Sequence, residues 1–242
     1  MRVLMIGFDS TMLEESPQKP SDTKERHCRY VQALREKYPL GELIVILKVP
    51  PSRRSVPVQL AEGFTVYPVP SCRTTFLAKA WETLKRINPE KFDLITTQTP
   101  FDDGWLGVKV KEKYKIPLNV QIHSSFLDNP YWLNMRPLMN RILNILGKLV
   151  IRKADTIRVV SIGERRRLIS IFPFLEKKLF YLPPYFNLKL LGQPVNTDSL
   201  NAKFSGKVPP YIFFSGRLAK EKNIPLLLKA FALVRKERKG VF

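Results

Sequence analysis

Short apolar runs recur along the chain at Val3 to Phe8, Leu43 to Leu47, Phe64 to Val69, Leu94 to Thr97, Leu118 to Ile122, Thr156 to Ser161 and Leu179 to Leu182. Each has the length of a buried strand rather than a helix. Between them, apolar residues return at helical spacing over 23–38, 75–87, 104–114, 132–153 and 163–171. Runs rich in Val, Ile and Leu that alternate with helices predict an α/β domain, with a mostly parallel sheet covered by helices on both faces. Sheets of this kind bind ligands at the carboxyl ends of their strands.

The pattern changes after Leu182, through Pro183-Pro184, Pro194, the polar stretch Asn196 to Ser205, and Pro209-Pro210. Residues 1–185 therefore read as one sheet domain, 186–208 as a linker and 209–242 as the start of a second domain. That second part opens with an apolar run, Tyr211 to Phe214, followed by Ser215-Gly216-Arg217-Leu218-Ala219-Lys220-Glu221-Lys222 and a helical pattern. A strand, a glycine turn with nearby cations and a helix start together suit an anion. One strand and one helix bury too little apolar surface to stand alone. Residues 209–242 are expected to dock on the first domain, to pair with a second copy of the chain, or to be poorly ordered.

Composition adds one unusual feature. Of 242 residues, 44% are hydrophobic and 26% charged, which is ordinary, but the formal net charge is +20. Residues 1–140 carry 20 basic and 15 acidic side chains, whereas 141–190 carry 11 and 3. Such an excess attracts nucleic acid, an acidic lipid surface or phosphorylated substrates. There is no helix-turn-helix, zinc-finger or RNA-binding aromatic signature, so no specific nucleic acid is expected. Two cysteines, Cys28 and Cys72, and two histidines, His27 and His123, make neither a disulfide framework nor a zinc spacing. The expected setting is the reducing cytoplasm.

The first apolar run is too short for a secretory core, and the stretch Leu138 to Ile151 is interrupted by Asn140, Arg141, Asn144 and Lys148, so no membrane-spanning helix is expected. Phe76, Leu77, Ala80, Trp81, Leu84 and Ile87 form a stripe flanked by Arg73, Lys79, Lys85 and Arg86. It reads either as an ordinary core-facing helix or as a helix lying in a membrane interface. The clusters Arg165 to Arg167 and Arg235 to Lys239 read as solvated faces. With the overall charge, they fit a peripheral contact with anionic lipid.

The phrase from Phe214 to Phe231 resembles the segment that opens the donor domain of retaining glycosyltransferases of family 4, whose GT-B architecture has two Rossmann-like domains. In that family a Gly-Arg-x-x-x-x-Lys pattern grips the diphosphate of a nucleotide sugar, and Gly216, Arg217 and Lys222 fall on it. Arg152 to Ser161 resembles the family's Ala-Asp-x-Ile-x-x-x-Ser strand, Gln121-Ile122-His123 a strand ending beside the reacting sugar, Phe92 to Gln98 its Phe-Asp-x-Ile strand, and Lys178 to Pro183 its last acceptor-domain strand. The order of these segments is also the family's.

The resemblance implies a Rossmann-like acceptor-side domain followed by an incomplete donor domain. Three departures stand out. Asp9 to Leu13 replaces the family's glycine-rich loop, Pro184-Tyr185-Phe186-Asn187 replaces its Asn-Gly-Val-Asp, and the Glu-x7-Glu element that holds the donor would lie beyond Phe242.

By resemblance, His123 is the candidate catalytic residue. The alternative is a hydrogen-bonded structural histidine at a strand end. Gly216, Arg217 and Lys222 are candidates for the donor diphosphate, against a reading as solvated cations beside a turn. Gly7, Gln98 and Ser161 are expected to line the cleft, Gly7 as a tight turn and Ser161 as a cap of the next helix.

Two functions follow. One is a hexosyltransferase using a nucleotide-diphosphate sugar as co-substrate, with no other cofactor and no obligatory metal, on a lipid or saccharide acceptor. The other is a non-catalytic half that binds acceptor or membrane and needs a donor-domain partner chain.

Overall fold

All seven apolar runs are strands, and an eighth joins them. A computed structural model describes residues 1–14, 21–186, 188, 214–216, 218–219 and 222–238. The chain divides into two units, Met1–Phe186 and Asn187–Phe242. In the first unit, β1 (Arg2–Gly7), β2 (Glu42–Val49), β3 (Val58–Ala61), β4 (Phe64–Pro70), β5 (Leu94–Thr97), β6 (Leu118–Ile122), β7 (Thr156–Val159) and β8 (Leu179–Tyr181) make one sheet in the order β3-β4-β2-β1-β5-β6-β7-β8.

All neighbours are parallel except β3 and β4, which pair antiparallel. β3 is the strand that the hydrophobic pattern did not predict. Its four residues form an edge only because Gly63, at φ 73°, turns the chain back onto β4. The order reverses at β1, between β2 and β5, which opens a crevice at the carboxyl ends of these strands.

Among the described residues, six α-helices complete the unit: α1 (Asp22–Lys37), α2 (Arg73–Arg86), α3 (Asp102–Tyr114), α4 (Pro130–Met135), α5 (Pro137–Lys153) and α6 (Ile162–Ile171). The single helix expected over 132–153 is two helices. Pro137 disfavours helical backbone in the residue before it, and Arg136 sits at φ −145°, ψ 79°. Pro137 then occupies the first turn of α5, where its missing N–H costs nothing. Lys178 closes the other end of α5 by donating to the carbonyls of Ile151, Arg152 and Ala154 at 2.8, 2.9 and 3.0 Å.

Strand alternation splits the core into two. Leu4, Ile6, Ile95, Val120, Ile122, Ile157 and Val159 face a layer built from α2, α3, α5 and α6. The stripe of α2 belongs to this layer: Phe76, Ala80, Leu84 and Ile87 are buried, so the core-facing reading holds and the membrane-interface reading of that helix does not. On the other face, Val3, Met5, Val45, Leu47, Phe64 and Val66 pack against Val31 of α1 and against Met12 and Leu13.

Past β1 this second face changes character. Beyond Leu94, the positions of β5, β6 and β7 that alternate with buried residues are Thr96, Asn119, Gln121, Thr156 and Arg158. This polar half-face forms one wall of the candidate site.

In the second unit, α7 (Ile224–Glu237) starts after Asn223, whose backbone is left-handed. The predicted strand residues Tyr211, Ile212 and Phe213, nearly all of the linker over 186–208, and Arg217 lie outside the described residues.

Candidate functional site

Gly7 ends β1 in register with Leu47, so it is not the tight turn expected of it. It is needed for space. A Cβ there would lie 2.1 Å from Gln98 Oε1 and 2.5 Å from its Cδ. The Gln98 side chain lies in that gap and accepts hydrogen bonds from the Phe8 and Asp9 amides at 3.0 and 3.4 Å. The amide thereby ties the end of β5 to the loop leaving β1. That loop, in place of a glycine-rich one, is a 3-10 turn (Ser10–Leu13) capped by Asp9. Asp9 also accepts from the Thr23 hydroxyl of α1 at 2.8 Å. Burial would raise its pKa, but its bonds to Thr11 and Thr23, with Arg26 nearby, outweigh that and hold the carboxyl below its ordinary value.

The polar half-face is a continuous hydrogen-bonded ladder. Asn119 donates to the Thr156 hydroxyl at 2.9 Å, the Thr96 hydroxyl donates to Asn119 Oδ1 at 3.1 Å, and Gln121 donates to Thr96 at 3.0 Å. Arg158 completes it. This guanidinium, only 7% exposed, donates to Gln121 Oε1 at 3.0 Å and to the carbonyls of Leu182 and Pro183 at 2.9 Å each. A buried cation needs such partners, since leaving it bare would cost several kcal/mol. The same bonds hold the chain where it leaves β8, and Tyr185 N–H adds a bond to the Tyr30 hydroxyl of α1 at 3.3 Å.

Between α1 and this ladder runs a groove of about 630 Å³, reaching from Met1 to Phe8, Asp9, Gln98 and His123 at the carboxyl ends of the strands. Its walls are cationic and amphipathic, with Arg26, His27 and Tyr30 on one side and Gln121 and Arg158 on the other. His27 is buried, with its Nδ1 2.7 Å from the Thr23 carbonyl. Burial, with a smaller push from Arg26, holds it below its ordinary pKa. Arg26 Nε is buried and has no hydrogen-bond partner among the described residues.

His123 stands where β6 ends, at the mouth of the groove. Desolvation by the surrounding walls, then the charges of Arg158 and Arg26, lower its pKa to about 4. Solvent also reaches the residue, which tempers the shift without changing its direction. The ring is neutral at physiological pH and so offers one donor and one acceptor.

Its loop is fixed from behind. Glu164 of α6, 6% exposed, accepts from Ser125 at 2.5 Å and from two nitrogens of Arg167 at 2.9 and 2.6 Å, and Arg167 donates onward to the Leu127 carbonyl at 2.8 Å. Phe101 and Trp132 stack at 5.4 Å, with Phe126 set against both. Arg167, expected on a solvated face, is therefore a structural anchor.

The structure brings Gly7, Gln98 and His123 together. Ser161 sits two residues past the end of β7 and caps α6, accepting from the Glu164 amide at 3.0 Å. Gly216 and Lys222 are exposed in the second unit, and Arg217 lies outside the described residues. Sequence reasoning missed Arg26, Arg158 and Asp103. The signal for Arg158 was present, a charge alternating with Ile157 and Val159.

Asp103 is fully buried in the first turn of α3. Burial pushes its pKa up to about 7, although it accepts from Thr99 N–H at 2.7 Å and from the Thr99 hydroxyl. A cavity of about 710 Å³ between α2 and α3, lined by Trp81 and Trp105, carries none of the predicted residues. Among the described residues, no His, Cys, Asp and Glu cluster could hold a metal, and no helix is long and apolar enough to cross a membrane.

Solved structures with this fold are numerous. Sucrose-phosphate synthase from Thermosynechococcus elongatus is similar over 96% of this chain and 60% of its own, at 15% identity and a TM-score of 0.66. Anabaena HepE, solved in complex with UDP and glucose, is similar over 100% of this chain and 59% of its own, at 16% identity and a TM-score of 0.61. UDP-GlcNAc 2-epimerase from Methanocaldococcus jannaschii covers 100% and 64%, at 12% identity and a TM-score of 0.53.

At such identities the likeness establishes the GT-B Rossmann-like fold, and the chain spans about 60% of the length of the first two. No curated protein matches the chain by sequence. A family model, however, matches residues 42–190, from β2 through β8 and the segment after it. More than half of the sequence thus carries one family's pattern, on that family's fold, and the chain belongs to Glycosyltransferase Family 4.

Proposed function

We propose that this chain is the acceptor-side part of a retaining hexosyltransferase, moving a sugar from a nucleotide-diphosphate sugar to a lipid or saccharide acceptor at the cytoplasmic face of an anionic membrane. One observation carries the reading: Gln98, seated over Gly7, and His123 both line the carboxyl end of an amphipathic groove in a family 4 domain. The Gln98 and Gln121 amides, the Tyr30 hydroxyl and the neutral His123 ring suit a hydroxyl-rich ligand, because each can give or take a hydrogen bond without a charge to desolvate.

In the transfer, the bond from the anomeric carbon to the diphosphate oxygen breaks. A bond to the acceptor oxygen forms on the same face, and the acceptor's proton passes to the departing phosphate. A neutral imidazole at this point supports a positively charged, sugar-like transition state, which an imidazolium would repel. Gly216, Arg217 and Lys222 match the family's diphosphate-gripping pattern and are assigned to the leaving group, where fixed cations neutralise the charge that develops. UDP is the first nucleotide to try, since HepE was solved with it. The nucleotide sugar is a co-substrate, and this reading calls on no further cofactor.

The test is transfer of label from UDP-hexoses to membrane lipids and oligosaccharides by the 242-residue chain, alone and with a separate donor domain added. Expected is a product whose anomeric configuration matches the donor's, reduced by about 100-fold in His123→Ala with the urea midpoint unchanged. Product that appears only after the donor domain is added would establish the non-catalytic half. No product in either case, with any nucleotide sugar, would overturn both readings.

A further inference from the structure

The longest helix of the first unit leaves its outer side bare. On α5, Leu138, Ile142, Ile145 and Leu149, spaced by four, three and four residues, are 80%, 54%, 63% and 42% exposed. Such spacing puts all four on one line, roughly 16 Å long. On α4, just before it in the chain, Tyr131 and Met135 are also exposed. The opposite side of α5 is conventionally buried, through Leu143, Gly147, Val150 and Ile151, so the helix is held in place without help from the bare stripe. A Cβ at Gly147 would come within 2.6 Å of Leu127, which shows how closely that inner side seats.

The flanks of the stripe are cationic. Arg141 and Arg152 lie beside it, and Arg136 stands at the break between α4 and α5. All three are exposed and form no ion pair with described residues. Lys148 and Lys153 are engaged by Asp128 and Glu112. No acidic residue occurs between Asp128 and Asp155. From this juxtaposition we infer that α5, with α4, is a membrane-docking surface that inserts Leu138, Ile142, Ile145 and Leu149 into an anionic bilayer while the arginines reach its phosphates.

Charge selects this occupant over a second copy of the chain. A two-fold contact along α5 would set arginines against arginines with no carboxylate on the helix to receive them, whereas an anionic interface satisfies every flank. A long guanidinium stem also lets the charge stay at the headgroups as its helix sinks. The inference rests on the proposed transfer reaction only for its purpose: α4 begins seven residues after His123, so a bilayer at α5 would present a lipid acceptor near the mouth of the groove. Binding itself is measured without turnover, and either reading can fail alone.

Because a chain of charge +20 adheres to any anionic surface, the test needs a matched control. Sedimentation with phosphatidylcholine vesicles, with and without phosphatidylglycerol, is compared for the full chain, for Ile142→Glu/Ile145→Glu, and for Leu40→Glu/Val56→Glu. Leu40 and Val56 are exposed elsewhere on the unit, so both variants add two negative charges.

Expected is binding that requires phosphatidylglycerol. It falls by roughly tenfold for each isoleucine replaced on α5 and by less than about threefold for the control pair, with unchanged circular dichroism and urea midpoints throughout. Equal weakening by the two variants, or none, would mean bulk attraction and would overturn the inference. A dimer that Ile142→Glu/Ile145→Glu dissociates, without vesicle binding by the full chain, would overturn it as well and make a second copy the occupant.

Discussion

The contact between Gly7 and Gln98 can be tested by a double-mutant cycle. Gly7→Ala places a methyl 2.1 Å from Gln98 Oε1 and 2.5 Å from Cδ, distances that no side-chain packing tolerates, and all three nearest atoms belong to that one side chain. The strand does not have to move, because Gln98 can swing away. Doing so gives up its bonds to the Phe8 and Asp9 amides at 3.0 and 3.4 Å, one of good geometry and one long. Their loss is worth about 1–2 kcal/mol.

Gln98→Ala alone removes the same bonds and has a similar cost. In that background the three atoms nearest the added methyl are gone, and Gly7→Ala is expected to become neutral, or stabilising by about 0.5 kcal/mol because alanine restricts the unfolded chain. The two changes together thus cost about as much as one, a coupling on the order of 1–2 kcal/mol. Urea denaturation of the four proteins, followed by circular dichroism with a common m-value, measures it. Strictly additive costs would refute the claim that glycine is required here to make room for the Gln98 clamp.

Two further outcomes are expected from the ionisable groups. Asp103, protonated in the folded state up to about pH 7, binds a proton there that the unfolded chain releases near its ordinary 3.8. Its contribution is therefore fully present below the unfolded value and is lost as pH rises toward the folded one, by at most about 1.4 kcal/mol per pH unit. Asp103→Asn should remove this decline, so that its stability relative to the parent grows with pH between about 4.5 and 6.5. Parallel urea midpoints across that window would contradict the burial argument.

Cys72, exposed at the start of α2, is lowered to about 6 by hydrogen bonds from Thr74 and Thr75, at 3.1 and 3.2 Å. Burial pushes Cys28 up. Iodoacetamide should label Cys72 first, with a half-maximal rate near pH 6. A midpoint near the ordinary value of about 8.5 would refute it.

Legibility of the site followed the range of the forces involved. His123 and Gln98 were marked by resemblance to the family's strands, and both stand at the crevice because each follows an apolar run and the carboxyl end of a parallel strand faces it whatever the rest of the chain does. Arg26 could not, since its place in the groove depends on how α1 lies across β1. Gly7 was recognised as special for the wrong reason: a glycine in sequence suggests freedom of φ, and only the coordinates of a residue 91 positions away reveal a demand for space. Arg167 looked like surface charge in a triplet of arginines. It is held by Glu164 three residues earlier and by a carbonyl 40 residues away.

By itself the sequence determined what depends on neighbours along the chain. Hydrophobic period set the strands and helices, their alternation set the parallel sheet, and local phrases marked the family. Tertiary structure decided which side of each element is covered. The stripe of α2 and the stripe of α5 look alike as sequences, apolar lines with basic flanks, yet Phe76, Ala80 and Leu84 are buried while Leu138, Ile142 and Ile145 face out. Helical spacing places side chains on a common line but says nothing about what lies opposite. That is settled only when strands and helices from distant parts of the chain compete for the same sheet face.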